Sequence, residues 1–254
     1  MIRAMILTAM VSIAAMAQWS LQDLQFLYTF DEGQGEIVAD SSGNGRDAEL
    51  QGKGSTWTTG VFGAAVSFSG MGWAEVPGWS TPELGDFTLG CWVRPAAQQR
   101  QWATILDSHQ APPQRGLAFE QNSMEHNLFH TIWGDGKDWS GGAIQTQLEP
   151  DVWQHFVGVR VGGISTHYIN GEVLHTGLAG LEAPVMAGTD NFRIANWVGS
   201  GRNFAGAIDE AFLYSRALSA DEVQKLHDKG FSKALDVVPA RTLATTWASL
   251  RTEK

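Results

Sequence analysis

Two glycine-rich stretches each carry an indole that its neighbours cannot cover. In GDGKDWSGG, residues 134–142, Trp139 stands with Asp135 and Lys137; in NWVGSGRNF, residues 196–204, Trp197 stands with Arg202. A flat indole beside charged side chains and glycines suits a sugar ring. The apolar C–H side of the ring packs on the indole while the hydroxyls take hydrogen bonds. The same residues also allow both indoles to fold back as plugs on a core, and the sequence does not choose between the two.

A second group is rich in oxygen. Asp31, Glu32, Asp40 and Asp47 flank the turn Gly43-Asn44-Gly45. Carboxylates beside carbonyls that glycine turns leave free are what a calcium ion requires, although the spacing is not that of an EF-hand, and solvated turns use the same residues. Asp209 and Glu210 are adjacent in AIDEAFLY, residues 207–214, a run that is apolar on both sides. Neighbours on a strand point to opposite faces, so this pair cannot serve one substrate as acid and base. One of them must lie on an apolar side, where an ionised carboxylate needs a cation or several donors. A Ca2+ ion held by Asp31 and Asp209, with Asn44 and Asp47 of the 40–47 loop, would meet that need. Arg46, the only cation in that loop, is the alternative partner, in a plain salt bridge.

Catalytic signatures are missing. There is no E-x-D-x-x-E run, no G-x-S-x-G, no H-E-x-x-H and no phosphate-cradling glycine loop. The histidines are scattered singly, so no zinc site is suggested. His155, two residues from Trp153, reads as a packed core histidine.

The elements that must position these residues are mostly strands. At 254 residues and 43% hydrophobic, the chain can bury one sizeable core; 29 glycines and 11 tryptophans favour an all-β fold. Leu24 to Phe30 reads as a first strand. Val66 and Phe68 alternate inward before a turn at Gly70 to Gly72, and Ala74 and Val76 do so after it. DFTLGCWVRP, residues 86–95, places Phe87, Leu89, Cys91 and Val93 on one side and Trp92 on the other. Three more strands are expected near 102–108, 115–121 and 126–133, followed by a loop from Gly134 to Gly142. Asn170-Gly171 marks a two-residue hairpin turn. Ser219 with Glu222 writes a capping box for one short helix that ends at Gly230. The net charge of −10 argues against nucleic acid and acidic membrane surfaces. Arg3, an apolar run from Ala4 to Ala15 and Ala15-Met16-Ala17 make residues 1–17 an expected export signal, with no later stretch able to span a membrane. Cys91, the sole cysteine, cannot form an internal disulfide.

FDEGQGEIVADSSGNGRDAEL, GVFGAAVSFSGMGWAEVP, DVWQHFVGVRVGGISTHYINGEVLHTG and GAIDEAFLYSRALSADEV follow one another in this chain. Together they resemble the ordered signatures of laminin-G-like jelly-roll domains, the concanavalin A-like sandwiches, over roughly residues 24 to 230. The resemblance implies an all-β jelly-roll sandwich of two antiparallel sheets with one short C-terminal helix. The expected domain is 18–231, followed by a tail, 232–254. The resemblance also tips the oxygen-rich loop toward calcium. The function it implies is a secreted or cell-surface, extracytoplasmic carbohydrate-binding module without catalysis, whose partner is a glycan or glycoprotein. A polysaccharide hydrolase or lyase and an adhesive surface protein are the alternatives on the same fold. Residues 98–143 depart most from the signatures, so the ligand is expected on the loops bearing Trp139 and Trp197.

Overall fold

A computed structural model describes residues 21–122, 128–179, 182–188, 191–199 and 201–234. The expected export signal, 1–17, and the expected tail beyond Ala234 lie outside the described residues. Among the described residues there are sixteen strands and one α-helix, after a 3-10 turn at Leu21–Asp23. The strands are β1 (Leu24–Tyr28), β2 (Ile37–Val38), β3 (Ala48–Gly52), β4 (Ser55–Thr59), β5 (Ala64–Ser69), β6 (Gly72–Val76), β7 (Phe87–Pro95) and β8 (Ala103–Asp107). They continue as β9 (Arg115–Asn122), β10 (Leu128–Asp135), β11 (Trp139–Gln147), β12 (Gln154–Val161), β13 (Ile164–Ile169), β14 (Glu172–Ala179), β15 (Phe192–Ile194) and β16 (Ala205–Tyr214), before helix α1 (Ala220–Ala234).

They form two antiparallel sheets of eight strands. The first runs β14-β13-β12-β7-β16-β5-β4, with β1 also paired to β16; the second runs β11-β10-β9-β8-β15-β6-β3-β2. Their inner faces supply one large core. Phe87, Leu89, Cys91 and Val93 of β7 belong to it, as do Leu117 and Phe119 of β9 and Phe129 and Trp133 of β10. The outer face of the first sheet is covered as well. Val157, Val159, Phe212 and Tyr214 pack there against Leu218, Val223, Leu226 and Phe231 of the helical segment. That second cover is why β7, β12 and β16 read as continuous apolar runs instead of clean alternations. The helix begins as its sequence dictates, with the Ser219 N–H donating to Glu222 Oε2 at 2.7 Å and the Glu222 N–H to Ser219 Oγ at 3.3 Å.

Strand β16 changes partner along one edge. Ala205 to Ile208 pair with β5, and Ala211 to Tyr214 pair with β1. Asp209 and Glu210 fall at the changeover, in a bulge relative to β7, and Glu210 takes a φ of 45°. Their carboxylates reach outward from the gap. Asp209 Oδ2 accepts the N–H groups of Val61 at 2.8 Å and Phe62 at 3.2 Å. Glu210 accepts the Phe231 N–H at 2.9 Å, just where Gly230 interrupts α1. Two adjacent acids therefore tie the loop before β5 and the end of the helix to the centre of the sheet.

The structure corrects one sequence expectation. Residues 134–142 are not a loop but the close of the β10–β11 hairpin, with Gly134 opposite Trp139 and Ile132 opposite Gly141. Only 136–138 turn, with Gly136 at a φ of 95°. β11 is the edge of its sheet, so backbone pairing on one side holds it without the apolar alternation that marks a central strand.

Trp92 clusters with His155 and His227, at 5.0 and 5.2 Å between ring centroids and with the two histidine rings 5.9 Å from each other, and packs against Phe62. It joins β7, β12 and α1. Replacing it with Ala is expected to cost about 3–5 kcal/mol in urea unfolding, as for other buried indoles.

Candidate functional site

Among the described residues no helix packs on the outer face of the second sheet. Along β9 and β10 the core takes Leu117, Phe119, Phe129, Thr131 and Trp133, which leaves Glu120, His130 and Ile132 to project the other way. Register places Glu120 directly opposite His130. Around these residues lies a cleft of about 560 Å3, walled by Trp102, His109, Trp139, Trp197 and Arg202. Three indoles thus meet over a polar floor. Trp102 is presented from a backbone with a φ of 57°, the left-handed region that a bulky residue seldom occupies.

A short set of polar contacts fixes the walls. The Arg202 carbonyl accepts the Thr104 N–H at 2.8 Å, which seats the 196–204 loop beside β8. The Arg202 guanidinium donates through Nη1 to Glu120 Oε2 at 3.2 Å. It also lies 4.5 Å from the Trp197 ring centroid and 5.9 Å from that of Trp102. Planar stacking of this kind is a property of Arg that Lys does not share. Asp107, fully buried, accepts the N–H of Val198 at 2.8 Å through Oδ2, while its Oδ1 takes the His109 backbone N–H and meets His109 Nδ1. One carboxylate therefore holds both loops and orients the His109 ring. That ring is edge-on to Trp139 at 5.6 Å and stacked on Trp197 at 5.9 Å.

Glu120 is the single acid among the described residues on the lining. Burial pushes its carboxyl up to about 7, outweighing the pull of His109 and Arg202, while the charge of Asp107 adds to the rise. Near neutrality the cleft can thus offer a carboxylic acid as donor or a carboxylate as acceptor, beside a guanidinium and three aromatic faces. This suits the hydroxyls and C–H faces of a saccharide.

The structure brings together three of the five residues expected at a ligand site: Trp139, Trp197 and Arg202. Asp135 and Lys137 do not line the cleft. Asp135 Oδ1 accepts the N–H groups of Lys137 and Asp138, both at 2.8 Å, and so shapes the turn that presents Trp139. Trp102, His109, Glu120 and His130 were not singled out by sequence. The available signal was Glu120 itself, a lone acid in the apolar run GLAFE.

The four residues expected to share calcium are placed differently. Asp31 Oδ1 accepts the Ala64 N–H at 3.1 Å, so Asp31 and Asp209 serve the same 61–64 segment, and Asp209 Oδ1 is buried without a partner. Burial, with the charge of Asp31 adding, raises the Asp209 carboxyl to about 7. Asn44 instead donates its amide to the carbonyls of Leu24 at 2.7 Å and Gln25 at 3.1 Å. Asp47 Oδ1 accepts the Asp40 N–H at 2.9 Å. Arg46, the alternative salt-bridge partner, turns its guanidinium to the Gln25 carbonyl and to Trp79, 4.6 Å from the ring centroid. Among the described residues no three His, Cys, Asp or Glu side chains are grouped to hold a metal ion. The orphan oxygen of Asp209 next to Asp31 fits a cation; Asn44 is spent on the carbonyls of β1 and Asp47 on its own loop.

The buried Glu120 has a consequence for stability. Its folded value lies above the ordinary carboxylate value of 4.5, so the folded state holds the proton more tightly. Its contribution is therefore fully present below about pH 4.5 and lost as pH rises through about 7. Thermal melts across that window should fall more steeply for the wild type than for Glu120→Gln; equal slopes would place the carboxyl in a wet environment.

The chain belongs to a laminin-G-like family described as the concanavalin A-like lectin/glucanases superfamily, whose model matches residues 68–224. The oxygen-rich opening signature lies before the matched range. A solved structure of similar fold is domain 4 of an extracellular GH43 arabinanase from Geobacillus stearothermophilus, in complex with arabinotriose. It is 22% identical, with a TM-score of 0.62, and covers 81% of this chain and 98% of its own. Another, solved in work on botulinum neurotoxin type C and its interaction with two ganglioside molecules, is 15% identical with a TM-score of 0.59. It covers 82% of this chain and 51% of its own. Among curated proteins, adhesion G-protein coupled receptor V1 of Danio rerio is 21% identical over 149 residues. That match takes in 58% of this chain but only 2% of the receptor's length. At these identities the solved structures speak for the fold alone.

Proposed function

We propose that this domain is a non-catalytic carbohydrate-binding module, and that its glycan lies in the cleft of Trp102, Trp139 and Trp197. The observation that carries this reading is the meeting of three indoles with the Arg202–Glu120 pair on a sheet face that no described element covers. Aromatic planes take sugar faces, and the paired charges take hydroxyls in both directions. Similar folds solved with arabinotriose, or in work on ganglioside interaction, support the class of ligand. The partner is a free glycan or a glycoprotein, met outside the cytoplasm. The arabinanase is described as extracellular, which agrees with that location. Glycoside hydrolysis by two carboxyl groups needs both at the scissile bond, and among the described residues Glu120 is the one acid on the lining; Asp107 is sealed beneath it.

The test is calorimetric titration with glycans found on an array. Trp139→Ala should weaken binding by ~1–3 kcal/mol, in the range known for aromatic stacking, and leave the melting temperature near that of wild type because the ring is 38% exposed. The bound oligosaccharide should be recovered intact. Unchanged affinity in both Trp139→Ala and Trp197→Ala would move the ligand elsewhere; hydrolysis abolished by Glu120→Gln would favour an enzyme.

Calcium has a narrower part in this reading. We place a Ca2+ ion between Asp31 and Asp209, as a brace for the 61–64 segment, because Asp209 Oδ1 is buried and unpartnered. Ion binding to the folded state alone stabilises it by mass action. Millimolar Ca2+ should raise the melting temperature relative to chelator-treated protein, and Asp209→Asn should abolish the increment. Identical melts with Ca2+ and with chelator would remove the ion from the account.

A further inference from the structure

A second compartment, of about 480 Å3, adjoins the cleft, with Gln110, Arg115, Asn191, Val198 and Gly199 on its lining. It shares Trp197 and Ala111 with the first. Trp197 is therefore a partition with one cavity on each side. It is a fixed partition: its Nε1–H donates to the His109 carbonyl at 3.4 Å, and the next residue is anchored through its N–H to Asp107.

The chemistry of the two compartments differs. The first holds Glu120 against Arg202. Among the described residues the second has one charged residue on its lining, Arg115, and no acid. Arg115 is itself well anchored: its N–H donates to the Gln110 carbonyl at 3.0 Å, its carbonyl accepts the Gln110 N–H at 3.0 Å, and its Nη2 donates to Gln110 Oε1 at 2.6 Å. Its Nε–H is buried with no partner. Asp135 is its cross-strand neighbour, yet Asp135 gives Oδ1 to its own turn and makes no ion pair with it. A held, half-buried guanidinium with no counter-ion among the described residues is a site for a planar anion, which it can meet in a two-point bond.

Resting on the carbohydrate reading above, we infer that this compartment is an adjoining subsite for an acidic sugar unit, a uronate, of the same glycan that fills the main cleft. The two cavities meet at Trp197, so neighbouring units of one chain reach both without a linker to order. The carboxylate meets Arg115 while the Gln110 and Asn191 amides take ring hydroxyls. The protein carries a net charge of −10, so its long-range field does not draw in an anionic glycan. Selectivity for the acidic unit therefore resides in contact at Arg115, and it shows in dissociation more than in association.

The experiment is titration of the whole chain with oligosaccharides of one to four units, uronate-containing and matched neutral forms, from galactose, glucose and mannose series. Wild type, Arg115→Gln, Arg115→Lys and Trp139→Ala are compared, with melting temperatures recorded for each. In the preferred series, adding the uronate unit next to the first should tighten binding about tenfold, as a charge-assisted two-point bond can. Arg115→Gln should remove that increment while leaving the affinity for the single neutral unit within about twofold, and Arg115→Lys should restore part of it. Binding that is indifferent to the acidic unit, or an increment that survives in Arg115→Gln, overturns the second subsite; if Trp139→Ala still weakens binding, the main cleft stands. Failure of every oligosaccharide to bind wild type, or binding unaffected by Trp139→Ala, overturns the carbohydrate reading and the subsite together.

Discussion

Burial of β16 on every side is the constraint from which the rest of this architecture follows. The strand lies between β7 on one edge and β5 and β1 on the other, with the core on one face and α1 on the opposite face. Two carboxylates in such a place must find donors or be expelled. They find them because the strand bulges where its partner changes, sending Asp209 to the loop before β5 and Glu210 to the kink at Gly230. The acids are costly to bury, but they pin a loop and a helix end that apolar packing alone would leave sliding. Asp209 remains short of one partner, and a cation beside Asp31 would supply it.

Covering the first sheet with a helix commits it to structure. The second sheet has no such cover among the described residues, and the proposed ligand site lies on that face. Its strands β8 to β10 keep Leu, Phe and Trp on the core side and put Glu120, His130 and Ile132 on the other. Charges so placed are half-desolvated by their own surroundings, which raises Glu120 and strengthens what Arg202 can offer. The indoles around them are held by Asp107, by the Arg202 stack and by the Asp135 turn. A site whose walls are already bonded loses little freedom on binding, so more of the contact energy appears as affinity.

The sandwich was legible because its signals are local: alternation in β5 to β7, an Asn-Gly turn, a capping box and family signatures in order. The adjacency of Trp139, Trp197 and Arg202 was legible only as two separate odd stretches, since nothing local says that residues some sixty positions apart share a cleft. The Gly134 to Gly142 segment misled because a strand at a sheet edge needs no apolar pattern, so its glycines read as loop. The sequence places Glu120 only as an acid flanking a turn and gives His109 no mark at all, for another reason. Their importance comes from burial and from cross-strand neighbours, and the sequence shows neither. Asn44 and Asp47 looked like ion ligands because the same oxygens and amides that bind calcium also tie turns together, and composition cannot tell the two apart.

The most direct measurement follows the indole N–H resonances of the eleven tryptophans as a bound glycan is added. Trp102, Trp139 and Trp197 border the cleft, whereas Trp92 and Trp133 are packed in the interior. The account predicts that the first three shift together along one binding curve while Trp92 and Trp133 stay in place. Saturating glycan that leaves those three unmoved, or that shifts only a tryptophan outside the cleft such as Trp57 of β4, would contradict it.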